Sequence, residues 1–408
     1  MSASASISNA SRSATLAEGP SLTAHRIIHV FRAPVGGLFR HVVDLARLQA
    51  AAGHQVGIVC DANTGGDRAA QAFAALAPSL ALGIVRVPMH RNPHPSDLTA
   101  LRVLAERARI TGATVLHGHG AKGGVYARAA RVAGPNPIRA YTPHGGSYNY
   151  KPGTIRHRLY MGIERLLALR TDLFLFESEY VAGRHRAHAG TARLTRIVHN
   201  GICESEFLPV APAADPYDLL YIGELRDAKG VPFLLEALAS LREEGRTLRL
   251  LMVGSGPDAD LLAARVRAMG LGDAVAFEAP QPIRAVLARG RIMVVPSLAE
   301  SLPYVVLEAA AAQHPLVATN VGGIPEIFGA AASHLVPPRD AGALKEAIVR
   351  VLDEAPDARA ARFADLGASV QVRFSMKRMG ADVLSGYAAA FRARVKAEPA
   401  AAHAGQAI

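Results

Sequence analysis

Apolar, strand-like runs alternate with amphipathic helical stretches along this chain in two successive series, with a proline-rich break between them. The first series runs through Arg26–Phe31, Gln55–Cys60, Ile84–Pro88, Thr114–His117, Arg139–Thr142 and Asp172–Phe176. Helical patterns at Leu38–Ala51, Asp97–Arg109 and Lys122–Val132 lie between them, and Gly53 supplies a stop for the first. Strands linked through helices return in the same direction, so the pattern predicts βαβ units and a parallel sheet. In Pro209-Val-Ala-Pro-Ala-Ala-Asp-Pro216, three prolines in eight residues remove backbone donors and disfavour both helix and central strand. A linker is expected over 209–216. A second series follows, with strands at Asp218–Ile222, Leu248–Val253 and Val275–Glu278, helices at Val231–Leu241 and Asp258–Met269, and further alternation to Val336. The fold class is therefore α/β, with two Rossmann-like domains, 25–208 and 217–372, facing a cleft. A helical segment over 373–395 closes the pattern, and the Ala/Ser-rich ends, 1–24 and 396–408, read as flexible tails.

Chemistry concentrates at one strand end of the second series. The apolar run Arg291–Ser297 is followed by Glu300-Ser-Leu-Pro-Tyr-Val-Val-Leu-Glu308, and then by a Gly-Gly turn at Gly322 and Gly323. This reads as strand, loop and helix start, with one carboxylate on the loop and one on the helix. Open α/β sheets bind ligands at the carboxyl ends of their strands. The free N–H groups of a helix start suit a phosphate, and ionised carboxylates accept hydrogen bonds from sugar and ribose hydroxyls. The layout points to a nucleotide-sugar site. Gly223-Glu-Leu-Arg-Asp-Ala-Lys-Gly230 adds Arg226 and Lys229, whose charges can neutralise a diphosphate. Gly254-Ser-Gly-Pro257 makes a tight turn at another strand end, and Gly36-Gly37 opens a helix where backbone amides can approach a ligand closely.

These motifs resemble glycosyltransferase family 4, the retaining enzymes of GT-B fold that carry a Glu-x7-Glu signature. The resemblance covers roughly residues 25–392. Besides 291–326 it rests on Gly36-Gly37-Leu-Phe-Arg-His41, Thr142-Pro-His-Gly145, His199-Asn-Gly-Ile202 and Gly223 through Gly230. It implies a hexosyltransferase-type enzyme that moves a sugar from a nucleotide sugar to a hydroxyl of a glycan or lipid-linked acceptor, in exopolysaccharide or lipopolysaccharide assembly. It also implies that the final helical segment crosses back to the first domain. By the resemblance Glu300 approaches hydroxyls of the donor sugar, Glu308 grips ribose hydroxyls, and His144 faces the transferred sugar, so His144 and Glu300 are the catalytic candidates. Gly36, Gly37, Arg226, Lys229, Gly254, Ser301, Leu302, Pro303 and Glu308 are the donor-site candidates, with Gly36 and Gly37 lining the cleft opposite the donor. The family usually places its arginine directly after the first glycine of the Gly223–Gly230 motif. Here Glu224 stands there, so Lys229 is the stronger phosphate ligand. Glu326 reads as a cap or a supporting group.

Charge sharpens the choice of partner. Residues 25–208 carry 23 Lys and Arg against 11 Asp and Glu, whereas 209–372 carry 15 against 20. A basic first domain fits an anionic partner, and an anionic membrane surface at the inner face of the plasma membrane is the candidate. No apolar run reaches the roughly 20 residues that span a bilayer, and the N-terminus lacks a secretory apolar core, so a cytoplasmic, peripheral location is expected. The two cysteines, Cys60 and Cys203, form neither a disulfide framework nor a metal pattern. His117 and His119 sit two apart and share a face if the strand continues through both. A metal site would need more ligands than they supply, so neither metal nor cofactor is expected. Two rivals are a nucleotide-sugar epimerase of the same architecture and a nucleic-acid-binding protein. The second lacks any recognisable module or aromatic stacking patch.

Overall fold

The computed structural model describes residues 24–134 and 136–404, with 397–404 described by backbone alone. The tail expected over 1–24 therefore lies outside the described residues, apart from Ala24. The other tail is corrected in part: the last helix, Met376–Ala404, runs through most of 396–408.

The first sheet comprises β1 (Arg26–Val30), β2 (Gln55–Asp61), β3 (Ile84–Val87), β4 (Val115–His119), β5 (Ile138–Thr142), β6 (Leu173–Phe176) and β7 (Thr195–Ile197). Its order is β3-β2-β1-β4-β5-β6-β7, and every pair is parallel. The second comprises β8 (Tyr217–Ile222), β9 (Leu250–Val253), β10 (Val275–Glu278), β11 (Gly290–Val295) and β12 (Leu316–Ala318). Its order is β10-β9-β8-β11-β12, again all parallel. The strand order reverses between β1 and β4 and between β8 and β11, which opens a crevice at the carboxyl edge of each sheet. The segment after β1, which leads to Gly36 and Gly37, and the loop after β11, which carries Glu300, leave from those edges. Every residue of β5 and β9 is buried, as expected where helices cover both faces of a parallel sheet.

The two-domain α/β architecture read from the alternating pattern is the one observed, and the last helix returns to the first domain as the family resemblance implies. Met379, Val383, Tyr387 and Ala390 lie on one face of that helix and pack against Ile27, Leu45, Val115, Ile138, Leu173 and Leu175 of the first domain. Their spacing of three and four residues puts them on a single stripe. The helix Pro356–Arg373 before it packs its Phe363, Leu366 and Val370 into the core of the second domain. The chain is thus anchored in both domains at Phe374–Met376, where Ile202 and Met376 exchange backbone hydrogen bonds with their neighbours across the junction.

Behind the loop that carries His144, a fully buried ion pair organises the first domain. Arg128 on the helix Gly120–Ala129 donates to Glu164 on the helix Ile155–Ala168 at 2.8 Å. Ser147 donates to the same carboxylate at 2.8 Å, and Tyr141 at 3.3 Å. The guanidinium also lies 3.8 Å from the Tyr141 ring centre. A buried carboxylate is tolerable only with such a full set of donors. Arg128→Ala leaves Glu164 charged and unpaired, so it should lower the unfolding free energy by about 3–5 kcal/mol in denaturant titration. A loss below about 1 kcal/mol would contradict this account of the pair.

Candidate active site

The loop after β11 brings Glu300 to the mouth of the second crevice. Its carboxylate accepts from Lys229 Nζ at 2.6 Å and from Ser297 Oγ at 2.7 Å. Lys229 and Glu300 are both mostly buried, so the pair is shielded from solvent. The loop is held by close backbone packing: a Cβ on Gly322 would lie 2.0 Å from the Glu300 carbonyl oxygen, and its φ is +60°. Only glycine fits there. Gly323 donates its N–H to the Ser301 carbonyl at 2.7 Å.

Pro303 precedes the helix Tyr304–Ala311, whose first N–H groups receive no side-chain cap. They remain available to an anion. Glu308 lies one turn further on and is largely buried. Ser301 and Leu302 form the approach to this helix, and the Leu302 carbonyl accepts from Asn200 Nδ2 of the first domain at 2.8 Å. Lys229, Glu300, Ser301, Leu302, Pro303 and Glu308 thus share one strand-end region. Arg226 does not join them. It is half-exposed and pairs with Glu224 at 2.8 Å, the residue that stands where the family usually has its arginine. Gly254 sits at the end of β9 with its Cα against the Gly223 carbonyl, where a Cβ would lie 1.9 Å from that oxygen. Its observed role is to let two strand-end turns touch.

On the first domain, Gly36 and Gly37 open the helix Gly36–Ala51, and a Cβ on Gly37 would lie 3.1 Å from the Tyr304 ring. The two domains therefore meet directly at this point. Arg40, one turn into that helix, reaches across and donates to Glu308. It also donates to Glu206 at 2.5 Å and to Asp44 at 3.4 Å, with its guanidinium 4.7 Å from the Tyr304 ring centre. Burial works against the charge of Arg40, but Glu308 and Glu206 more than offset it and keep the cation. Burial also pushes the Glu308 carboxyl above the usual range, against the opposing pull of Arg40. Glu326 proves to be an interdomain cap. Its two oxygens accept the N–H groups of Glu179 and Tyr180, each at 2.9 Å, at the start of the helix Glu179–His188.

His144 lies beyond β5 in a left-handed conformation, φ 51°, which is uncommon for a residue with a side chain. Glu177 explains how it is held. This fully buried carboxyl follows β6 and accepts the N–H of Gly145 at 2.5 Å, with the His144 N–H also directed at it. Successive N–H groups in such a turn make a nest for an anion or a carboxyl. Burial raises Glu177 from 4.5 to about 7, although its own backbone N–H and those of Gly145 and His144 oppose the shift.

Around His144 the structure collects histidines that sequence analysis did not bring together. His117 and His119 do share a face of β4, with ring centres 4.0 Å apart. His29 on β1 and His41 on the first helix complete the group, and His41 and His144 pack edge to face at 4.7 Å. Ring nitrogens of His29, His117 and His119, and of His41, His119 and His144, come within 4.8 Å of one another. Most of these nitrogens are engaged in hydrogen bonds. Burial holds all five imidazoles below their ordinary pKa, to about 4 for His29 and His41, so they are neutral at pH 7.

Arg40, Glu206, Asn200, Glu177, His29 and Gln49 are the site-forming residues that received no role from sequence. The available signal is weak: Arg40 and His41 follow the Gly-Gly turn after Leu38 and Phe39, and Arg40 precedes Asp44 by one helical turn.

Two facing parallel-sheet domains, a carboxylate-and-cation loop on one side and a histidine cluster on the other, define a glycosyltransferase of GT-B architecture. Residues 35–206 match the family model described as Glycosyltransferase Family 4, and residues 216–354 match the one described as Glycosyl transferases group 1. The chain belongs to glycosyltransferase family 4, and the protein is a glycosyltransferase. It is 30% identical over 172 residues to an alpha-D-kanosaminyltransferase of Streptomyces kanamyceticus, spanning 41% of this chain and 44% of that one. It is 27% identical over 350 residues to a glycogen synthase of Mycobacterium tuberculosis, spanning 78% and 83% respectively. The fold matches the crystal structure of Anabaena Alr3699/HepE in complex with UDP-glucose, with a TM-score of 0.72, 18% identity, and coverage of 88% of this chain and all of the other.

Glu177 yields a pH prediction. A carboxyl whose pKa is raised on folding adds stability that is complete below its unfolded pKa and is lost as pH rises through the folded one. Between pH 4.5 and about 7 the wild type should therefore lose about 3 kcal/mol relative to Glu177→Gln. Parallel unfolding curves of the two proteins across that window would refute the assignment.

Proposed function

We propose that this protein is a retaining hexosyltransferase. It takes a sugar from a nucleotide-sugar donor and attaches it to a hydroxyl of a glycan or lipid-linked acceptor, in assembly of an exopolysaccharide or lipopolysaccharide. The observation that carries this reading is the strand-end arrangement of the second domain: Lys229 paired with Glu300, beside an uncapped helix start that leads to Glu308. The glycogen synthase among the relatives and the UDP-glucose bound by the Anabaena protein support a sugar nucleotide and a polysaccharide product.

In this reading Glu308 accepts the ribose hydroxyls after exchanging Arg40 for them, and the diphosphate lies over the N–H groups that begin at Tyr304. Lys229 turns from Glu300 toward the phosphate, which frees Glu300 for hydroxyls of the sugar. As the bond from the anomeric carbon to the phosphate oxygen breaks, negative charge collects on the diphosphate. Lys229 and the helix start stabilise it, a task that needs no metal ion. The acceptor oxygen bonds to the anomeric carbon on the face the phosphate leaves, so configuration is retained. The acceptor's proton passes to a departing phosphate oxygen. Arg226, half-exposed at the rim, can turn from Glu224 to the diphosphate, and Gly254 leaves room for the nucleoside at the end of β9. His144, with Gly36 and Gly37, faces the sugar from the first domain. The two-carboxylate logic of glycosidases has no counterpart in this scheme.

The direct test is a screen of nucleotide sugars in the presence of a chelator, followed by nucleotide release and product stereochemistry. Turnover that retains configuration is expected. Absence of turnover with every donor, or inversion, would overturn the proposal. Glu308→Ala removes charge-assisted hydrogen bonds worth about 1.5–3 kcal/mol, so donor Kd should rise about 10- to 100-fold. Undiminished affinity would argue against the ribose role.

The basic first domain favours an acceptor at an anionic surface. Among the described residues, no helix is long and apolar enough to cross a membrane. Flotation should recover more protein with anionic than with neutral vesicles, and equal recovery would count against membrane attraction.

A further inference from the structure

Buried side chains with two distinguishable hydrogen-bonding ends can fix the state of a distant group, and the first domain contains such a chain. Gln49, fully buried on the helix Gly36–Ala51, directs Oε1 to His29 Nε2 at 2.7 Å and donates from Nε2 to Tyr387 OH at 3.4 Å. His29 Nε2 must then carry the hydrogen, which leaves Nδ1 as an acceptor. His119 Nε2 lies 2.9 Å from that Nδ1 and must donate to it. His119 Nδ1 is then an acceptor, and His144 Nε2, 3.1 Å away, must donate to it. The last atom in the sequence, His144 Nδ1, is left as a bare lone pair. Among the described residues it has no hydrogen-bond partner.

The other end is compatible with this orientation. Tyr387 from the last helix, its hydroxyl taken up by Gln49 as an acceptor, donates to His117 Nδ1 at 2.8 Å, and His117 Nε2 donates to Thr142 at 2.9 Å. Neutral imidazoles are required throughout, because each ring nitrogen that accepts must be unprotonated, and burial keeps these rings neutral. A second amide acts on the neighbouring ring in the same way. Asn200 donates from Nδ2 to the Leu302 carbonyl, so its Oδ1 accepts from His41 Nδ1 at 3.1 Å. His41 Nε2 is consequently bare, and it is buried without a partner.

We infer that Gln49 is a positioning residue which, through His29 and His119, sets the tautomer of His144, so that the first domain offers the sugar an imidazole nitrogen that accepts hydrogen bonds and cannot donate them. The inference deepens the proposed function and rests on its placement of the sugar at His144. It specifies the ligand chemistry as a sugar hydroxyl that donates its hydrogen. It also gives the returning helix a role in the site, because the Tyr387 hydroxyl is the partner of the Gln49 amide nitrogen.

The test is long-range proton–nitrogen NMR on full-length protein labelled with nitrogen-15 in histidine, without any sugar. The His144 signals are assigned by their loss in His144→Gln. The expected result is an unprotonated Nδ1 and a protonated Nε2 for His144. Gln49→Glu keeps an acceptor for His29 and should preserve that pattern. Gln49→Leu removes it and should move both signals toward the averaged position of a tautomer mixture, with kcat lowered about 10-fold and donor KM changed less than 2-fold. If Gln49→Leu does not fold, Tyr387→Phe frees the amide and should move the same signals in the same direction. A protonated His144 Nδ1 in the wild type overturns the inference. So do signals that stay in place in the folded Gln49→Leu or Tyr387→Phe protein. The spectrum is read without substrate, so it stands or falls independently of whether the cleft accepts a nucleotide sugar.

Discussion

A guanidinium of one domain holding a carboxylate of the other is the contact on which the cleft depends. Arg40 belongs to the helix that follows the first strand, and Glu308 to the helix that follows β11. Neither charge could be buried alone without a large desolvation cost. Together with Glu206, Asp44 and Tyr304 they form a polar cluster where the two domains meet. In the proposed reading a nucleotide that takes Glu308 displaces Arg40, so occupancy of the donor site is coupled to a contact between the domains. Glu326, capping a first-domain helix from the second domain, adds a contact of the same kind on the other side of the junction.

The two walls of the cleft work by different physics. The second-domain wall is charged: Lys229, Glu300 and Glu308 are arranged around an uncapped helix start, as suits the anionic half of a donor. Apart from Arg40 and its acidic neighbours Asp44 and Glu206, the first-domain wall is neutral. Its five histidines are buried, low in pKa and hydrogen-bonded mainly to each other and to amide or hydroxyl groups, so in the proposed reading they face a sugar without competing for the diphosphate charge. The excess of Lys and Arg in residues 25–208 therefore does not come from this inner wall. Its cations lie elsewhere, some in structural pairs such as Arg128 with Glu164, and others on exposed helix faces.

Strand positions were legible because a buried parallel strand is a short apolar run between turn residues. The apolar run Arg26–Phe31 marks the strand found at Arg26–Val30, and the run Val275–Glu278 coincides with its strand. β7 and β12 were not read, since three-residue strands with sequences Thr-Arg-Ile and Leu-Val-Ala carry too little pattern to separate from loop. In the site, local sequence placed Glu300 on a loop and Glu308 on the following helix, because a strand, a proline and an apolar helix mark those positions. Pairings across the fold were not accessible. Arg40 and Glu308 lie 268 residues apart, and Gln49 and Tyr387 lie 338 apart. No local periodicity reports such contacts, and a buried Gln looks like any other polar residue on a helix. Arg226 shows the opposite case: residue type and motif proximity pointed inward, but the neighbouring Glu224 holds its guanidinium at the surface.

The central claim is that the acidic second domain, and not the basic first one, grips the activated sugar. A crystal structure of the protein soaked with a nucleoside diphosphate sugar tests it most directly. The account predicts ribose oxygens within hydrogen-bond distance of Glu308, phosphate oxygens over the N–H groups that begin at Tyr304, and Arg40 released from Glu308. Density for the nucleotide on the first sheet, or anywhere that leaves the pairs of Glu308 with Arg40 and Glu300 with Lys229 intact, would contradict it.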